Sequence, residues 1–331
     1  MDENQLCAIM SSIPADLTDR EEFGKALARQ GEPLGEFIQV QCKFEQFRRT
    51  FPSRFRSSGW QDPPEVDALY QRARELEKQY AKEWTAPLRR FGIADVVFSA
   101  GVVDSLLVTD PMTFAKNIES VIRIVPTAKT LLFSFPSEDA SVAAQGKAIR
   151  ALSANPALAH FDALEFTFWD GNEIASAVAA APHVGGLKRL FLADCNLGPN
   201  GAEAILRSRR LASLEWLDLS HNPRLGVDGA QAVRLSSLPA LKTLGLQNTG
   251  IDDSAAAALR GAGMLRSLRR LDISDNPLSP DAIHALLDAP ALRRVAVQVS
   301  TEHLPAAAAR ALRDKVNAHN SSGQGADPGG L

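Results

Sequence analysis

The sequence predicts an α/β fold in which a solenoid of repeated strand–helix units follows a small helical domain. Three observations lead to this prediction. A short apolar motif recurs four times at a constant spacing, and each copy precedes a segment of helix-forming residues. Roughly the first 95 residues lack the motif and carry helical start and stop signals instead. Fixed-period self-similarity of this kind is typical of repeat architectures.

The repeated motif has the pattern L-x-x-L-x-L-x-x, followed by a small polar residue. Its copies begin at Leu187, Leu214, Leu241 and Leu268, 27 residues apart each time. Alternating leucines predict a short strand whose apolar side chains face inward. The polar residue can hydrogen-bond the backbone where the chain leaves the strand. The residues at this bend position are Cys195, Asn222, Thr249 and Asn276. Weaker copies are predicted at Phe161 and Leu292, and a looser strand over residues 131–135.

The second half of each unit is predicted to be helical. The predicted helices cover residues 200–209, 228–235, 252–259 and 280–287, and each begins near Asn, Asp or Ser. Alanine is abundant in them, which favours helix and allows close packing.

Residues 125–300 resemble the ribonuclease-inhibitor-like class of leucine-rich repeats, in which a full helix follows each strand. The resemblance implies a right-handed solenoid with a parallel sheet on its concave side and helices on its convex side.

The N-terminal segment predicts three helices, over about residues 18–30, 34–48 and 65–84, with a loop over residues 50–64. Its Gly31-Glu-Pro33-Leu-Gly35-Glu36-Phe37-Ile38 stretch is similar to the core motif of the bacterial repeat-companion domain, which commonly precedes leucine-rich repeats. Phe23-Gly-Lys-Ala-Leu27 departs from the aromatic-Ala-Asp-Trp-Leu stretch of that family. The family has no established activity, so the resemblance implies architecture and not chemistry.

We therefore expect four parts. These are a helical companion domain (1–97), the solenoid (98–300), a C-terminal capping helix (301–319) and a disordered tail (320–331).

Composition argues against several functional classes. The formal net charge is −3, which is too balanced for a general nucleic-acid or membrane-surface binder. The three cysteines suit a reducing compartment. The sequence has no run of 18 apolar residues, so we predict no membrane-spanning helix. The N-terminus does not resemble a signal peptide, so we expect a cytoplasmic bacterial protein that does not bind membranes.

One cluster has the composition of a nucleic-acid site. It interleaves basic and aromatic side chains, but nearby acids and the low net charge argue against nucleic acid as the partner. Its members are Phe47, Arg48, Arg49, Phe51, Arg54, Phe55 and Arg56.

No catalytic, cofactor or metal motif is present. The six histidines are scattered, and H-E-x-x-H, C-x-x-C, P-loop and G-x-S-x-G patterns are missing from the sequence. Cys195 beside Asp194 could suggest a thiol site, but its bend position favours a packing role. Cys42 lies on a predicted helix and is interpreted as a core or boundary residue. We therefore predict no metal, no cofactor and no enzyme.

The candidate site is the concave face, where alternation places the side chains between the leucines. Phe191 and Trp216 fall on neighbouring strands beside Arg189, Asp218 and His221, a composition typical of a protein-binding hot spot. The alternative is that Trp216 lies flat and only shields the sheet.

A second patch combines arginines with aspartates. It is interpreted either as a rim salt-bridge network or as a solvated charged face, and Arg294 is predicted to share a column with Arg270. Its members are Arg269, Arg270, Asp272, Asp275, Arg293 and Arg294.

These observations predict a non-catalytic, monomeric scaffold or adaptor that binds another protein on its concave face. The alternative is a regulatory or substrate-recruiting subunit that activates or inhibits a partner enzyme. A third possibility, an enzyme within residues 1–125, lacks a convincing polar constellation.

Overall fold

The structure is a computed structural model that describes residues 3–50, 63–134, 141–301 and 306–323. The chain divides into two compact units, one over residues 1–129 and one over residues 130–325. The predicted boundary after residue 97 is wrong, because it falls inside a strand of the first unit. Two strands there join through Ala100 and Gly101, which both have positive φ and make a tight hairpin turn.

The first unit contains five α-helices and one antiparallel hairpin within its described residues. The helices are α1 (Glu3–Ser12), α2 (Leu17–Arg29), α3 (Pro33–Thr50), α4 (Pro64–Thr85) and α5 (Pro111–Ile124). The strands are β1 (Ile93–Ser99) and β2 (Val102–Val108). Helices α2 to α4 correspond to the three predicted helices. The cap of α2 is Asp16, because its carboxylate accepts hydrogen bonds from the backbone N–H groups of Thr18 and Asp19.

Close packing in this unit depends on the glycine of the Gly-Glu-Phe-Ile stretch. A Cβ at Gly35 would lie 2.3 Å from the Ala28 backbone nitrogen and 2.6 Å from the Gly24 carbonyl oxygen, so α2 and α3 can approach only without a side chain there. The adjacent Phe37 is fully buried and packs against Trp84, with ring centroids 5.1 Å apart. The motif is therefore a packing motif in this chain.

The second unit contains seven parallel strands in chain order, with helices between them. The strands are β3 (Thr130–Ser134), β4 (Ala163–Thr167), β5 (Arg189–Phe191), β6 (Trp216–Asp218), β7 (Thr243–Gly245), β8 (Arg270–Asp272) and β9 (Ala296–Gln298). The helices are α6 (Val142–Ser153), α7 (Gly171–Ala180), α8 (Pro199–Leu206), α9 (Gly226–Arg234), α10 (Asp253–Leu259), α11 (Pro280–Leu287) and α12 (Ala306–Gly323). The α/β fold class and the repeat positions are confirmed.

Side-chain alternation builds the core between sheet and helices. Leu190, Leu217, Leu244 and Leu271 are fully buried at equivalent strand positions, and α7 to α11 pack against one another in chain order. The predicted helix over residues 200–209 ends early, at Leu206, and a separate short turn follows it.

Buried asparagines join successive bends. The Asn276 side-chain oxygen accepts hydrogen bonds from the backbone N–H groups of Thr249 (2.9 Å) and Ile251 (3.0 Å) in the preceding unit. Its amide nitrogen donates to the carbonyls of Leu246 and Ile273, at 2.7 and 3.0 Å. The bend position therefore satisfies backbone groups that would otherwise be buried without partners.

Asn222 repeats this arrangement two units earlier in the chain. Its side-chain oxygen accepts from the backbone N–H groups of Cys195 and Leu197, and its amide nitrogen donates to the Leu192 carbonyl at 2.8 Å. The two asparagines thus serve the cysteine and threonine bends that precede them.

The C-terminal helix α12 closes the last strand. The Asn320 side-chain amide pairs with both backbone groups of Val297 in β9, accepting from N–H at 2.8 Å and donating to C=O at 3.0 Å. The predicted disordered tail from residue 320 is therefore wrong for residues 320–323, which are helical because Asn320 is tied to the sheet edge. Residues 324–331 lie outside the described part of the chain.

Two of the three cysteines are buried. Cys195 donates its thiol hydrogen to the Phe166 carbonyl at 3.3 Å, and burial raises the pKa of this thiol to about 12. Burial also raises the pKa of the Cys42 thiol to about 11. Cys7 is half-buried in α1. Cys195 therefore has a packing role at its bend position.

We expect Asn276→Ala to lower the free energy of unfolding by about 3 kcal/mol, because it leaves several buried backbone groups without partners. Urea unfolding followed by circular dichroism measures this. Asn200→Ala removes an exposed amide from α8 and should leave the unfolding midpoint almost unchanged. Equal effects of the two substitutions would contradict the structural role of Asn276.

We expect a thiol reagent at pH 8 to modify about one equivalent in the native protein and all three thiols after unfolding. The fast equivalent should disappear in Cys7→Ser, since Cys42 and Cys195 are buried with raised thiol pKa values. Rapid native modification of Cys195, located by peptide mapping, would contradict this assignment.

Candidate functional site

The face of the sheet opposite the buried leucines, here called the open face, carries two rows of side chains set by the strand register. The first row consists of Thr130, Ala163, Arg189, Trp216, Thr243, Arg270 and Ala296. The second row consists of Leu132, Glu165, Phe191, Asp218, Gly245, Asp272 and Gln298. Because the strands are parallel and in register, neighbours in a row lie about 4.8 Å apart along the sheet.

Two aromatic side chains meet near the middle of the open face. The rings of Phe191 and Trp216 have centroids 5.7 Å apart and planes inclined by 47°. Both side chains are half-buried, so each leaves part of its ring accessible. The predicted pair is thus formed, and it presents an accessible aromatic patch on this face.

Carboxylates flank this aromatic pair. Glu165 and Asp218 are the two register neighbours of Phe191, one on each side. Neither carboxylate has an ion-pair partner among the residues that the structure describes. The Phe191 ring therefore lies between two carboxylates that no described Lys or Arg neutralises.

The environment of Glu165 disfavours its charge. Burial raises the pKa of this carboxyl above its ordinary value of 4.5, and repulsion from Asp218 raises it further. A cation placed over Phe191 would oppose this rise in pKa, since it would offer Glu165 and Asp218 an opposite charge.

Gly245 makes room for the Asp218 carboxylate. A Cβ at Gly245 would lie 2.4 Å from Asp218 Oδ1, so a larger residue would displace this group. Asp218 accepts a hydrogen bond from the backbone N–H of Ser220 at 2.9 Å, and Asp272 accepts from Ser274 at the same distance. The two aspartates are therefore held in equivalent orientations on either side of the glycine.

Arg189 is neutralised within the chain. Its guanidinium forms an ion pair with Asp162 at 3.1 Å and lies 3.4 Å from Thr130 Oγ1. Next to the first row, Glu215 lies between Lys188 and Lys242 and pairs with both. The basic groups beside the aromatic pair are thus already engaged.

His221 lies beyond the strand, at the bend, and not against the aromatic pair. Its backbone has φ of +57°, and its Nδ1 lies 3.3 Å from the Asn248 amide nitrogen. Four equivalent residues share this left-handed conformation, which Asn, Asp and His adopt more readily than most residues. They are Phe168, Asp194, Asn248 and Asp275.

The predicted column that joined Arg270 to Arg294 is wrong. Arg270 pairs with Ala296, and Asp272 pairs with Gln298, so Arg294 lies two residues before β9. Counted between equivalent buried strand positions, the last repeat is one residue shorter than the one before it. Val295 and Val297 alternate and both are buried, so the sequence was compatible with either register.

The second patch is only partly paired. Asp275 binds Gln247 and the Ser300 hydroxyl, and the four arginines are exposed: Arg269, Arg270, Arg293 and Arg294.

The N-terminal basic cluster is only partly within the described residues. Arg48 and Arg49 in α3 form ion pairs with Glu45, at 3.6 and 3.3 Å. Phe51, Arg54, Phe55 and Arg56 lie outside the described residues.

Within residues 3–50, 63–134, 141–301 and 306–323, no three His, Cys, Asp or Glu side chains come together in a group that could hold a metal ion. The helices in these same ranges include none that is long and apolar enough to cross a bilayer.

The sequence alone assigns no role to Glu165 or Gly245. Their positions beside Phe191 and Asp218 become meaningful only once the strand register is known.

Comparison with known proteins gives the following. One family model for the leucine-rich repeat matches residues 187–206 and 211–233, and a second leucine-rich-repeat model matches residues 267–286. The crystal structure of a Bacteroides fragilis protein is similar, with a TM-score of 0.40 and 16% sequence identity over 77% of this chain and 83% of that chain. No curated protein matches the chain. The matched segments contain β5, β6 and β8, so the strands that carry Phe191, Trp216 and Asp272 lie in segments similar to leucine-rich repeats.

Proposed function

We propose that this chain is a non-catalytic scaffold or adaptor that binds a partner protein on the open face of its sheet, which is the concave face of the expected solenoid. Leucine-rich repeats are generally protein-interaction scaffolds. The observation that carries the proposal is the accessible Phe191–Trp216 pair flanked by the unpaired carboxylates of Glu165 and Asp218.

The aromatic pair has the properties of an interface hot spot. Aromatic side chains supply large contact areas at a small cost in conformational entropy, and such anchors dominate the binding energy of many interfaces. Phe191 and Trp216 are held by a rigid sheet, so little ordering is needed when a partner docks.

The second row indicates the charge of the partner segment over this pair. Glu165, Asp218 and Asp272 give the row three carboxylates, none with an ion pair among the described residues. A Lys or Arg side chain of the partner could lie against the aromatic rings and between the carboxylates, where cation–π and ionic attraction act together. We therefore propose that a basic segment of the partner contacts this region.

The proposal includes the finer architecture. A helix follows strands β5 to β8, which supports the ribonuclease-inhibitor-like class of repeats. The packing role of Gly35 and Phe37 supports the companion-domain assignment for the first unit.

We expect Phe191→Ala with Trp216→Ala to weaken partner binding about 100-fold, because both anchors of the hot spot are removed. A photo-crosslinking amino acid at Thr243, beside Trp216 in the first row, identifies the partner in the source cells. The affinity of the purified partner for the wild-type protein and the double variant is then measured by calorimetry.

Two controls come from the helix side of the same units. A crosslinker at Gln231 in α9 should give no product with this partner. Val227→Ala with Leu235→Ala removes two exposed apolar side chains near α9 and should leave the affinity unchanged. Crosslinking from Gln231, or equal affinity of the aromatic double variant, would place the interface elsewhere.

We expect Glu165→Gln to raise thermal stability slightly at pH 7 and to weaken binding of the basic partner about tenfold. The folded protein raises the pKa of Glu165, so stability falls as the pH rises above the ordinary value of 4.5, and the full cost of the ionised carboxylate is present once the pH exceeds the raised value. The stability gain should vanish as the pH falls below 4.5, where wild-type Glu165 is protonated in both states.

Scanning calorimetry across this pH range measures the effect. Glu119→Gln, at an exposed position of α5, should change neither stability nor affinity. A loss of stability in Glu165→Gln at pH 7 would contradict the unpaired state of this carboxylate.

A further inference from the structure

A cavity of about 370 Å³ lies between the end of the open face and helix α12, and is here called the end cavity. Its size is that of a site for a small molecule or a short peptide segment. The residues that line it are Arg270, Ala296, Val297, Gln298, Val299, Thr301, Arg313, Val316, Asn317 and Asn320.

One wall is a single face of α12. Arg313 lies three and four residues before Val316 and Asn317, and Asn320 lies four and three residues after them, so the four side chains share one side of the helix. Asn320 holds this face against the sheet through its two hydrogen bonds to the Val297 backbone. The opposite wall consists of open-face side chains.

A second contact keeps α12 in position. Lys315 points to the neighbouring helix and pairs with Asp288 at 3.0 Å, just after α11. The helix is thus anchored on both sides, and the cavity wall is preformed.

Two guanidinium groups from different elements line the end cavity. Arg270 comes from β8 and Arg313 from α12, and neither has an ion-pair partner in the described ranges. Among the described residues that line the cavity, none is an Asp or Glu. Two positive charges therefore share one cavity in which the described residues supply no compensating anion.

The other lining groups narrow the chemistry of the ligand. Gln298 and Asn317 offer amide N–H donors, which suit an oxyanion. Ala296, Val299 and Val316 offer apolar surface, which an isolated inorganic ion would not use. The cavity is also several times larger than one oxyanion, so it fits an anionic group carried on a carbon chain.

We propose that the end cavity binds an acidic peptide segment, whose carboxylates pair with the guanidinium groups of Arg270 and Arg313 while its aliphatic stems contact the valines. Arginine forms two parallel hydrogen bonds with a carboxylate, which gives geometric specificity. The statement that this segment belongs to the partner bound on the open face rests on the proposed function. The carboxylate site itself does not depend on the proposed function.

The two sites together would orient the partner. The second row attracts a basic segment near Phe191, and the end cavity attracts an acidic segment several strands away. A partner bound in the reverse direction would place like charges together at both positions, which disfavours that orientation.

The test uses the full chain and three short peptides. The peptide acetyl-Ala-Glu-Glu-Ala-amide carries two side-chain carboxylates, acetyl-Ala-Ala-Glu carries one of its carboxylates at the C-terminus, and acetyl-Ala-Gln-Gln-Ala-amide is neutral. Nitrogen-15 NMR titration follows the side-chain amides of Gln298 and Asn317. We expect saturable shifts with the acidic peptides and none with the neutral one. The acidic peptide that binds more tightly shows whether the site prefers side-chain carboxylates or a C-terminal carboxylate.

Variants separate the cavity from general charge attraction. Arg270→Gln with Arg313→Gln should weaken acidic-peptide binding more than tenfold, whereas Arg294→Gln with Arg310→Gln removes the same charge outside the cavity and should leave it unchanged. Replacing Arg270 and Arg313 by lysine should retain only part of the affinity, since lysine lacks the planar fork.

Three results would overturn the proposal. These are equal weakening in both glutamine pairs, equal binding of the neutral peptide, and tighter binding of inorganic phosphate than of either acidic peptide. The peptide titration does not depend on the open-face hot spot. If Phe191→Ala with Trp216→Ala left the affinity for the partner unchanged, the proposed function would be refuted, but the peptide titration would be unaffected.

Discussion

The buried side-chain amides of Asn222 and Asn276 are the interaction on which the second unit depends. Each one accepts from two backbone N–H groups of the preceding bend and donates to carbonyls of both units. A sharp bend exposes backbone groups that the interior would otherwise leave without partners, and each such group costs about 1–3 kcal/mol. Because one amide serves two units, satisfying the bend also sets the spacing and register of neighbouring strands.

That register determines the chemistry of the open face. It places Glu165 and Asp218 on either side of Phe191, and it places Gly245 where the Asp218 carboxylate needs space. Burial and repulsion raise the pKa of Glu165, so its charge opposes folding at neutral pH. The same arrangement would favour a cationic side chain of a partner, since the repulsion becomes attraction when an opposite charge arrives. Stability of the free protein and affinity for a basic segment are therefore opposed at this residue.

The end of the sheet uses the same chemistry from a different element. Asn320 of α12 pairs with both backbone groups of Val297, as a further strand would. This pairing covers an exposed strand edge, which is otherwise prone to join other chains. It also brings Arg313 to the end cavity that Arg270 lines, so closing the edge and forming a cationic cavity follow from one contact.

The sequence by itself determined the repeat units, the strands that contain their leucines, the bend residues and the aromatic pair on neighbouring strands. These features were predictable because each depends on local periodicity that recurs along the chain. Only the tertiary structure decided that β1 and β2 form a hairpin in the first unit, that Ala296 rather than Arg294 follows Arg270, and that Arg313 and Arg270 line one cavity. Each of these features depends on pairing or packing between segments, and alternating apolar residues such as Val295 and Val297 are compatible with more than one such arrangement.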